Sequence, residues 1–349
     1  MGFDSGIGLH GRTLVTGHST SKLPDLNHLL KQVSRSFYIS IRVLPREIRP
    51  QIGLTYILAR TTDTAADTRS APTPLRRAAL HRMRTEIAAA AAGDAVHGSD
   101  FRDLSEGMPQ IDRALIERFP DALGRLRRCS APDRRRIGDV LGSITGGQEM
   151  DLSRFGEASV EHIAALDTDA ELDDYTYQVA GCVGEFWTKI CQAHLFPEVN
   201  VADAFLFERG VRFGKGLQLV NILRDLPRDL RQGRSYIPLA PLAERNLSPE
   251  SLLDPASMKT FRPLYDHYLQ QAEEYLAAGR DYVDALPRRQ LRVRLACTLP
   301  MLIGTETLAR LRTANVLDDR YTIKVSRPDV RRLIFASLLY CLRPAGQLR

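Results

Sequence analysis

An all-α fold is what this sequence of 349 residues predicts, and three observations carry the expectation. Apolar residues recur at three- and four-residue spacing, the pattern of a single helix face. Period-two alternation, the mark of a half-buried strand, is scarce. Proline and glycine clusters punctuate the chain at intervals long enough for one or two helices each.

Taken in order, residues 1–21 are rich in Gly, Ser and Thr without a period, and they read as a flexible leader. From Leu23 the helical pattern begins, with Leu26, Leu29, Leu30 and Val33 on one stripe. Similar stripes run through Ile52 to Ala66, Leu75 to Ala92 and Ile111 to Leu126. Breaks are expected at Pro72 and Pro74, Gly93 to Ser99, Pro132, Pro197, Pro238 to Pro249, Pro287 and Pro328. No repeat, low-complexity tract or charged linker divides the chain, so residues 22–349 read as a single helical domain.

Hydrophobic residues make up 44% and charged residues 26% of the chain, the balance of a packed globular protein. The net charge is +6, and Arg accounts for nearly all of the 48 basic residues. Solvated arginines explain most of them; the guanidinium fork also pairs bidentately with phosphate, so some are candidates for meeting polyanions. Their spread along the whole chain, without interleaved aromatic clusters, argues against nucleic acid. Five cysteines, far apart and without a CxxC pair, fit a reducing cytoplasm and no zinc site. No signal peptide is visible, and no apolar run approaches the roughly 20 residues of a membrane span. The longest, Leu333 to Leu342, lies between Arg331, Arg332 and Arg343. It reads as a buried terminal helix, with a membrane-surface helix as the alternative and peripheral contact with the inner membrane surface as its consequence.

Two acidic pairs carry the chemistry. Asp63 and Asp67 stand four apart, which puts both carboxylates on one helix face in an otherwise apolar setting. Uncompensated charge there is costly, so a metal or another cation is called for. Asp225 and Asp229 repeat the spacing on a second helix. Two such pairs supply the hard oxygen donors that Mg²⁺ shares with substrate phosphates. Alone, either pair is usually a solvated face or a salt-bridge partner. Ser34-Arg35-Ser36-Phe37 offers hydroxyl and guanidinium donors suited to a diphosphate. Gly210 to Gly216 fails as a phosphate loop, because its glycine gap is one residue short and Gly216 stands where Ser or Thr is required. Small residues at Ala180, Gly181 and Gly184 permit close approach of either a helix or a ligand.

These stretches, in this order, together resemble the squalene and phytoene synthase family. The resemblance covers Ser34 to Asp67, Gly146 to Phe155, Tyr175 to Gly184, Gln218 to Pro238 and Lys324 to Val330. It implies a single-domain isoprenoid synthase fold in which two aspartate-rich helices face each other across a central apolar cavity. Carried over residue by residue, Asp63, Asp67, Asp225 and Asp229 match the Mg²⁺-binding aspartates. Ser34, Arg35, Ser36 and Arg60 match positions that hold substrate diphosphate, and Tyr56 lies one turn before Arg60. Tyr175 matches the tyrosine proposed to assist proton removal. Arg224, Arg234 and Tyr236 fall in the second acidic region and the segment after it, which closes over the site in relatives. Asp63-Thr-Ala-Ala-Asp67 and Lys324-Val-Ser-Arg327 look more like squalene synthases, where Ser36, Asn221, Lys324 and Arg327 would bear on NADPH. The sequence departs from the family at Ala66 and Arg228, and at Pro227, which is expected to kink the second acidic helix and redirect Asp229.

The resemblance implies a monomeric transferase that joins two farnesyl diphosphates head to head through presqualene diphosphate to squalene, as in sterol or hopanoid biosynthesis. The sibling reading is a synthase yielding phytoene, dehydrosqualene or hydroxysqualene. From another class comes a non-catalytic helical assembly factor that keeps the fold. Retention of four aspartates with Arg35 and Arg60 argues against it, because a scaffold has no use for a costly cluster of like charges.

Overall fold

The computed structural model describes residues 26–68, 70–96, 98–197, 203–318, 320 and 323–342, and among the helical ones the side chains of Asn27, residues 34–40 and Asp203 are not described. The expected leader, 1–21, lies outside the described residues. The chain folds into helices α1 (Leu26–Val43), α2 (Arg49–Asp67), α3 (Thr73–Ala92), α4 (Arg102–Ser105), α5 (Gln110–Glu117), α6 (Phe119–Arg128) and α7 (Ala131–Phe155). After strand β1 (Ala164–Ala165) come α8 (Asp169–Thr176), a π-helical turn (Tyr177–Gly181), α9 (Cys182–Leu195) and α10 (Asp203–Arg231). Strand β2 (Arg234–Ser235) leads to α11 (Leu239–Ala243), α12 (Met258–Ala285), α13 (Leu291–Thr313) and α14 (Arg327–Leu342). This is the all-α fold expected from the spacing of apolar residues.

The expected breaks mostly become helix boundaries. Pro72 caps α3, which ends at Gly93 with φ 98°, a left-handed stop that needs no Cβ. Ser130 accepts a bond from the Asp133 backbone N–H and Pro132 fills the first turn of α7, so both start that helix. Pro227, by contrast, lies inside α10, and the helix runs on to Arg231. Arg231 donates to the Pro227 carbonyl at 2.8 Å. The helix thus continues past the proline to Arg231, and Asp229 stands close enough to Asp225 and Asp151 for their charges to act on its carboxyl.

α10 packs along α12 and α9, α3 lies against α7, and α13 joins α12 to α14. One connected apolar core runs from Leu26 in α1 to Leu317 after α13. Close approach of α9 and the π turn to α10 is set by glycine: a Cβ on Gly184 would sit 1.9 Å from the Gly210 carbonyl oxygen, and one on Gly214 would meet that of Ala180 at 2.3 Å. Helix packing therefore accounts for the small residues at 180–184 and for the glycines of the rejected phosphate loop. Away from this seam, Asp133 ties three helices together: it accepts from Gln51 at 3.3 Å and Arg136 at 2.9 Å, and His194 Nε2 lies 3.0 Å from both its oxygens.

α14 corrects one expectation. Only Leu333, Ser337 and Cys341 are buried, against α13, while the rest of the apolar run is open. The helix is half-covered because α13 shields one face, with Tyr340 reaching Asp284 of α12 near its end.

Candidate active site

On α2, Thr61, Thr62, Ala65 and Ala66 face the core, which leaves Arg60, Asp63 and Asp67 toward the outside of the bundle. Arg60 Nη1 donates to Asp63 Oδ2 at 2.6 Å. Tyr56, one turn earlier, donates its hydroxyl to the Val33 carbonyl at 3.4 Å. Arg60, Thr64 and Asp67 line an open pocket of about 300 Å³, closed on the other side by Ser70, Gly107 and Asp112. Asp67 keeps 61% of its side chain open to solvent. The protein packed around it, and then the repulsion of Asp63, still raise its carboxyl above the usual range.

On α10, Arg224 closes on its neighbour Asp225 with both arms, Nε to Oδ1 at 2.8 Å and Nη2 to Oδ2 at 2.6 Å. Asn221, half-buried, stands one turn before Asp225. Asp229 is pushed up to about 7, first by burial and then by Asp225 and Asp151, against the attraction of Arg234 and Arg228.

Arg234 and Tyr236 come from a strap rather than a helix. Gly233, at φ 78°, turns the chain where a Cβ would strike the Ser159 backbone N–H at 2.5 Å. β2 then pairs in parallel with β1, Ala164 opposite Arg234 and Ala165 opposite Ser235. The Ala164 and Leu166 N–H groups donate to Gly233 and Ser235 at 2.9 and 3.2 Å. So held, Arg234 lies 3.5 Å from Asp151 Oδ2 and 4.0 Å from Asp67 Oδ1. Tyr236 donates its hydroxyl to Asp151 Oδ1 at 2.8 Å and stacks on Tyr175 with ring centroids 4.7 Å apart. Stacked in this way, Tyr236 stands between Tyr175 and the Asp151 carboxyl. Burial, followed by the charge of Asp151, pushes the Tyr175 phenol well above its ordinary value.

Asp151, on α7, is the residue that the sequence reading missed as a site member. Its carboxyl is pushed up to about 6 by burial, opposed by Arg234 and the Tyr236 bond, with Asp67 and Asp63 adding repulsion. A signal was there: counting by three and four from Ile144 through Gly147 leads to Asp151 and then Phe155, an acid on an otherwise apolar or small-residue face.

The expected residues divide accordingly. Asp67, Asp229, Arg234, Tyr236 and Tyr175 are gathered around Asp151, with Asp63, Arg60, Arg224 and Asp225 one step out. Ser34, Arg35 and Ser36 lie on α1 but their side chains fall outside the described residues. Lys324 and Arg327 are exposed at the junction of α13 and α14, where the Lys324 carbonyl accepts from Arg310 and Asp329 is held by Arg310 at 2.7 Å. Among the described residues no three His, Cys, Asp or Glu side chains converge closely enough to hold a metal. The donors are nonetheless of the hard-oxygen type that suits Mg²⁺, and the carboxyls of Asp67, Asp151 and Asp229 are raised first by burial and then by neighbouring acids, against the attraction of Arg234, Arg60 and Arg228.

A sequence model described as squalene/phytoene synthase matches residues 30–329. The chain belongs to the squalene/phytoene synthase family. Relatives within the family fall on both sides of its name. The chain is 28% identical over 261 residues to a phytoene synthase of Arthrospira platensis, covering 73% of each. It is 25% identical over 317 residues to the squalene synthase ERG9 of Gibberella zeae, covering 90% of this chain and 64% of that one. A bifunctional lycopene cyclase/phytoene synthase of Arthroderma gypseum is 26% identical over 287 residues, and the chain spans only 45% of its length. Among solved structures, a ligand complex of TcSQS matches with a TM-score of 0.71 at 19% identity, over 91% of this chain and 87% of that one. The squalene synthase HpnC from Alicyclobacillus acidocaldarius matches with a TM-score of 0.60 at 20% identity, over 83% and 92%. These likenesses establish the family fold.

Proposed function

We propose that this chain is a Mg²⁺-dependent transferase that condenses two farnesyl diphosphates head to head to presqualene diphosphate, and then, with hydride from NADPH, to squalene. What carries the reading is the meeting of acids from α2, α7 and α10 around the strap residue Arg234, one side of which opens into the pocket lined by Arg60 and Asp67. Such a mouth suits a diphosphate entering with its cations, since departing phosphate charge is stabilised by preorganised positive groups.

Asp63, Asp67, Asp225 and Asp229 would hold Mg²⁺, with diphosphate oxygens completing its coordination, and the ion would supply Lewis-acid stabilisation to the leaving group. Arg60 and Arg234 orient the first diphosphate as its C–O bond breaks and the electron pair leaves with phosphate. Half-buried apolar residues on the following helices, among them Val179, Val183, Leu217 and Leu302, would shield the allylic cation from water while the double bond of the second molecule attacks it. Closing the cyclopropane ring releases a proton. The Tyr175 hydroxyl, linked through Tyr236 to Asp151, offers a route for it, and a carboxyl held near 6 is matched to accepting a proton at neutral pH. A second ionisation and hydride transfer give the C30 product.

The sibling reading, a phytoene-type product, is favoured by one observation: a phytoene synthase stands among the relatives at 28% identity. Gas chromatography of products from farnesyl and geranylgeranyl diphosphate tests both. Squalene itself supports the main reading, phytoene, dehydrosqualene or hydroxysqualene supports the sibling, and no product from either diphosphate supports the assembly-factor reading.

A further inference from the structure

Lys215, in the middle of α10, is the one buried lysine among the described residues, 8% exposed. An ammonium out of water is costly unless it is paired, and its partners here come from two other helices. Its Nζ pairs with Asp173 Oδ1 in the last turn of α8. Tyr275 of α12 donates its hydroxyl to the same oxygen at 3.0 Å, and the ammonium lies 5.5 Å from the centre of the Tyr275 ring, within reach of its π face. Asp174, the neighbouring acid, accepts instead from Gln178 at 2.6 Å. The stem of Lys215 meets a different point of the chain: a Cβ on Gly181 would stand 3.0 Å from Lys215 Cγ. Asp173 and Gly181 bracket the π-helical turn Tyr177–Gly181, so one side chain touches the chain on both sides of it.

We propose that Lys215 is a positioning residue, which clamps Asp173 and thereby fixes the direction in which Tyr175 enters the site. Tyr175 lies two residues after Asp173 and two before the turn begins. The Asp173 carbonyl accepts from the Tyr177 N–H and, at 2.9 Å, from the Thr176 hydroxyl, so a displaced Asp173 displaces the start of the turn. A π turn carries one extra residue per hydrogen-bonded ring, and the side chains beside it point where its boundaries allow. The Tyr175 ring has to arrive 4.7 Å from that of Tyr236 to stack on it. Asp173 keeps 49% of its side chain open to solvent, so the pair adds little to overall stability. What the buried ammonium does is choose where that carboxylate sits.

The test reads Tyr175 itself. Fluorotyrosine incorporated in place of Tyr175 in the full chain is followed by fluorine NMR without substrate, so a wrong product assignment leaves the result readable. The expected spectrum is a single sharp line in the otherwise native chain, a split or broadened line in Lys215→Met and in Asp173→Asn, and a single line again in Lys215→Arg, which keeps the charge. Helix content by circular dichroism should not change, and Asp173→Asn, at a half-exposed site, keeps the test open should Lys215→Met fail to fold. A kinetic arm rests on the proposed reaction: both variants should lower kcat on farnesyl diphosphate about ten- to hundredfold, as a displacement of about 1 Å does, with KM within about twofold of wild type. Wild type without turnover on any prenyl diphosphate would bring down that reaction and leave the resonance to decide the inference. An unchanged Tyr175 line in both variants overturns it. So does Lys215→Arg behaving like Lys215→Met, which would make the packing of the stem, and not the ion pair, the feature that matters.

Discussion

The Tyr236 hydroxyl donates to Asp151 Oδ1 at 2.8 Å, and that bond joins the strap after α10 to the middle of the acidic cluster. Arg234, two residues earlier, reaches the other oxygen of the same carboxylate at 3.5 Å. Asp151 is therefore the acceptor that fixes the strap, with Tyr175 stacked on the tyrosine that donates to it.

Asp151→Asn keeps the size of the side chain and a hydrogen-bond partner for Tyr236 while removing the proton acceptor. Loss of a general base typically lowers turnover by about 10² to 10⁴. The expected result is a fall of that order in kcat on farnesyl diphosphate with an unchanged circular dichroism spectrum. A kcat within about twofold of wild type would take Asp151 out of the chemistry.

The same carboxyl makes stability depend on pH. Folding raises Asp151 to about 6, above the ordinary carboxylate value near 4, so between those values the folded chain holds a proton that the unfolded chain has released. Its contribution is neutral below about pH 4, becomes increasingly destabilising as pH rises toward 6, and levels off above that, at a cost on the order of 3 kcal/mol. Substrate-free Asp151→Asn should therefore melt a few degrees higher than wild type at pH 7.5, with the gap shrinking at pH 4.5. Thermal melts of both proteins at the two pH values check this; parallel pH dependence would mean the carboxyl is not held protonated by the fold.

How much of this could be read from the chain alone depends on period. α2 and α10 each place two aspartates four apart, and spacing of that kind survives folding, so Asp63, Asp67, Asp225 and Asp229 were visible as pairs. Asp151 has no acidic partner at four residues, because Phe155 stands there, and a search for pairs passes it. Arg234 was expected at the site only through the family resemblance: its position beside Asp151 follows from β1 and β2, two residues each and seventy apart in the chain, too short to leave a periodic trace. Pro227 reads as a helix breaker because it removes one backbone bond, yet α10, packed along α9 and α12, runs on past it to Arg231. α14 is apolar on both sides, so the sequence could not say which side α13 would cover.

Replacing Asp63 or Asp225 by Asn should leave the helical fold intact and abolish turnover, since each variant removes one oxygen charge from a set that must hold both cation and diphosphate. Each aspartate is already paired with an arginine, Arg60 and Arg224, so neutralising it also frees a guanidinium that the native arrangement restrains. Chelation makes the companion test: EDTA should stop the reaction and added Mg²⁺ restore it. Near-normal activity in both variants would remove the pairs from the metal site, and full activity after exhaustive chelation would count against the whole reaction scheme.

The reduction step is tested by product. Given farnesyl diphosphate and Mg²⁺ without NADPH, the enzyme is expected to accumulate presqualene diphosphate or quenched alcohols, and added NADPH should divert the flux to squalene. Lys324 and Arg327 are exposed cations at the α13–α14 junction, held there by the Arg310 bond to the Lys324 carbonyl and by the Arg310–Asp329 pair at 2.7 Å. That anchoring leaves both side chains outward, available to the phosphates of a dinucleotide, whose binding by exposed cations weakens with salt. Neutralising both, as Lys324→Gln with Arg327→Gln, should raise the KM for NADPH about tenfold, the loss of roughly 1.4 kcal/mol from two screened contacts, while presqualene diphosphate forms at the wild-type rate. Gas chromatography separates the outcomes. If the double variant makes squalene with the native NADPH dependence, these two cations belong to the surface and the cofactor binds elsewhere; if wild type makes the same hydroxylated C30 product with and without NADPH, the reduction is not part of this enzyme's chemistry.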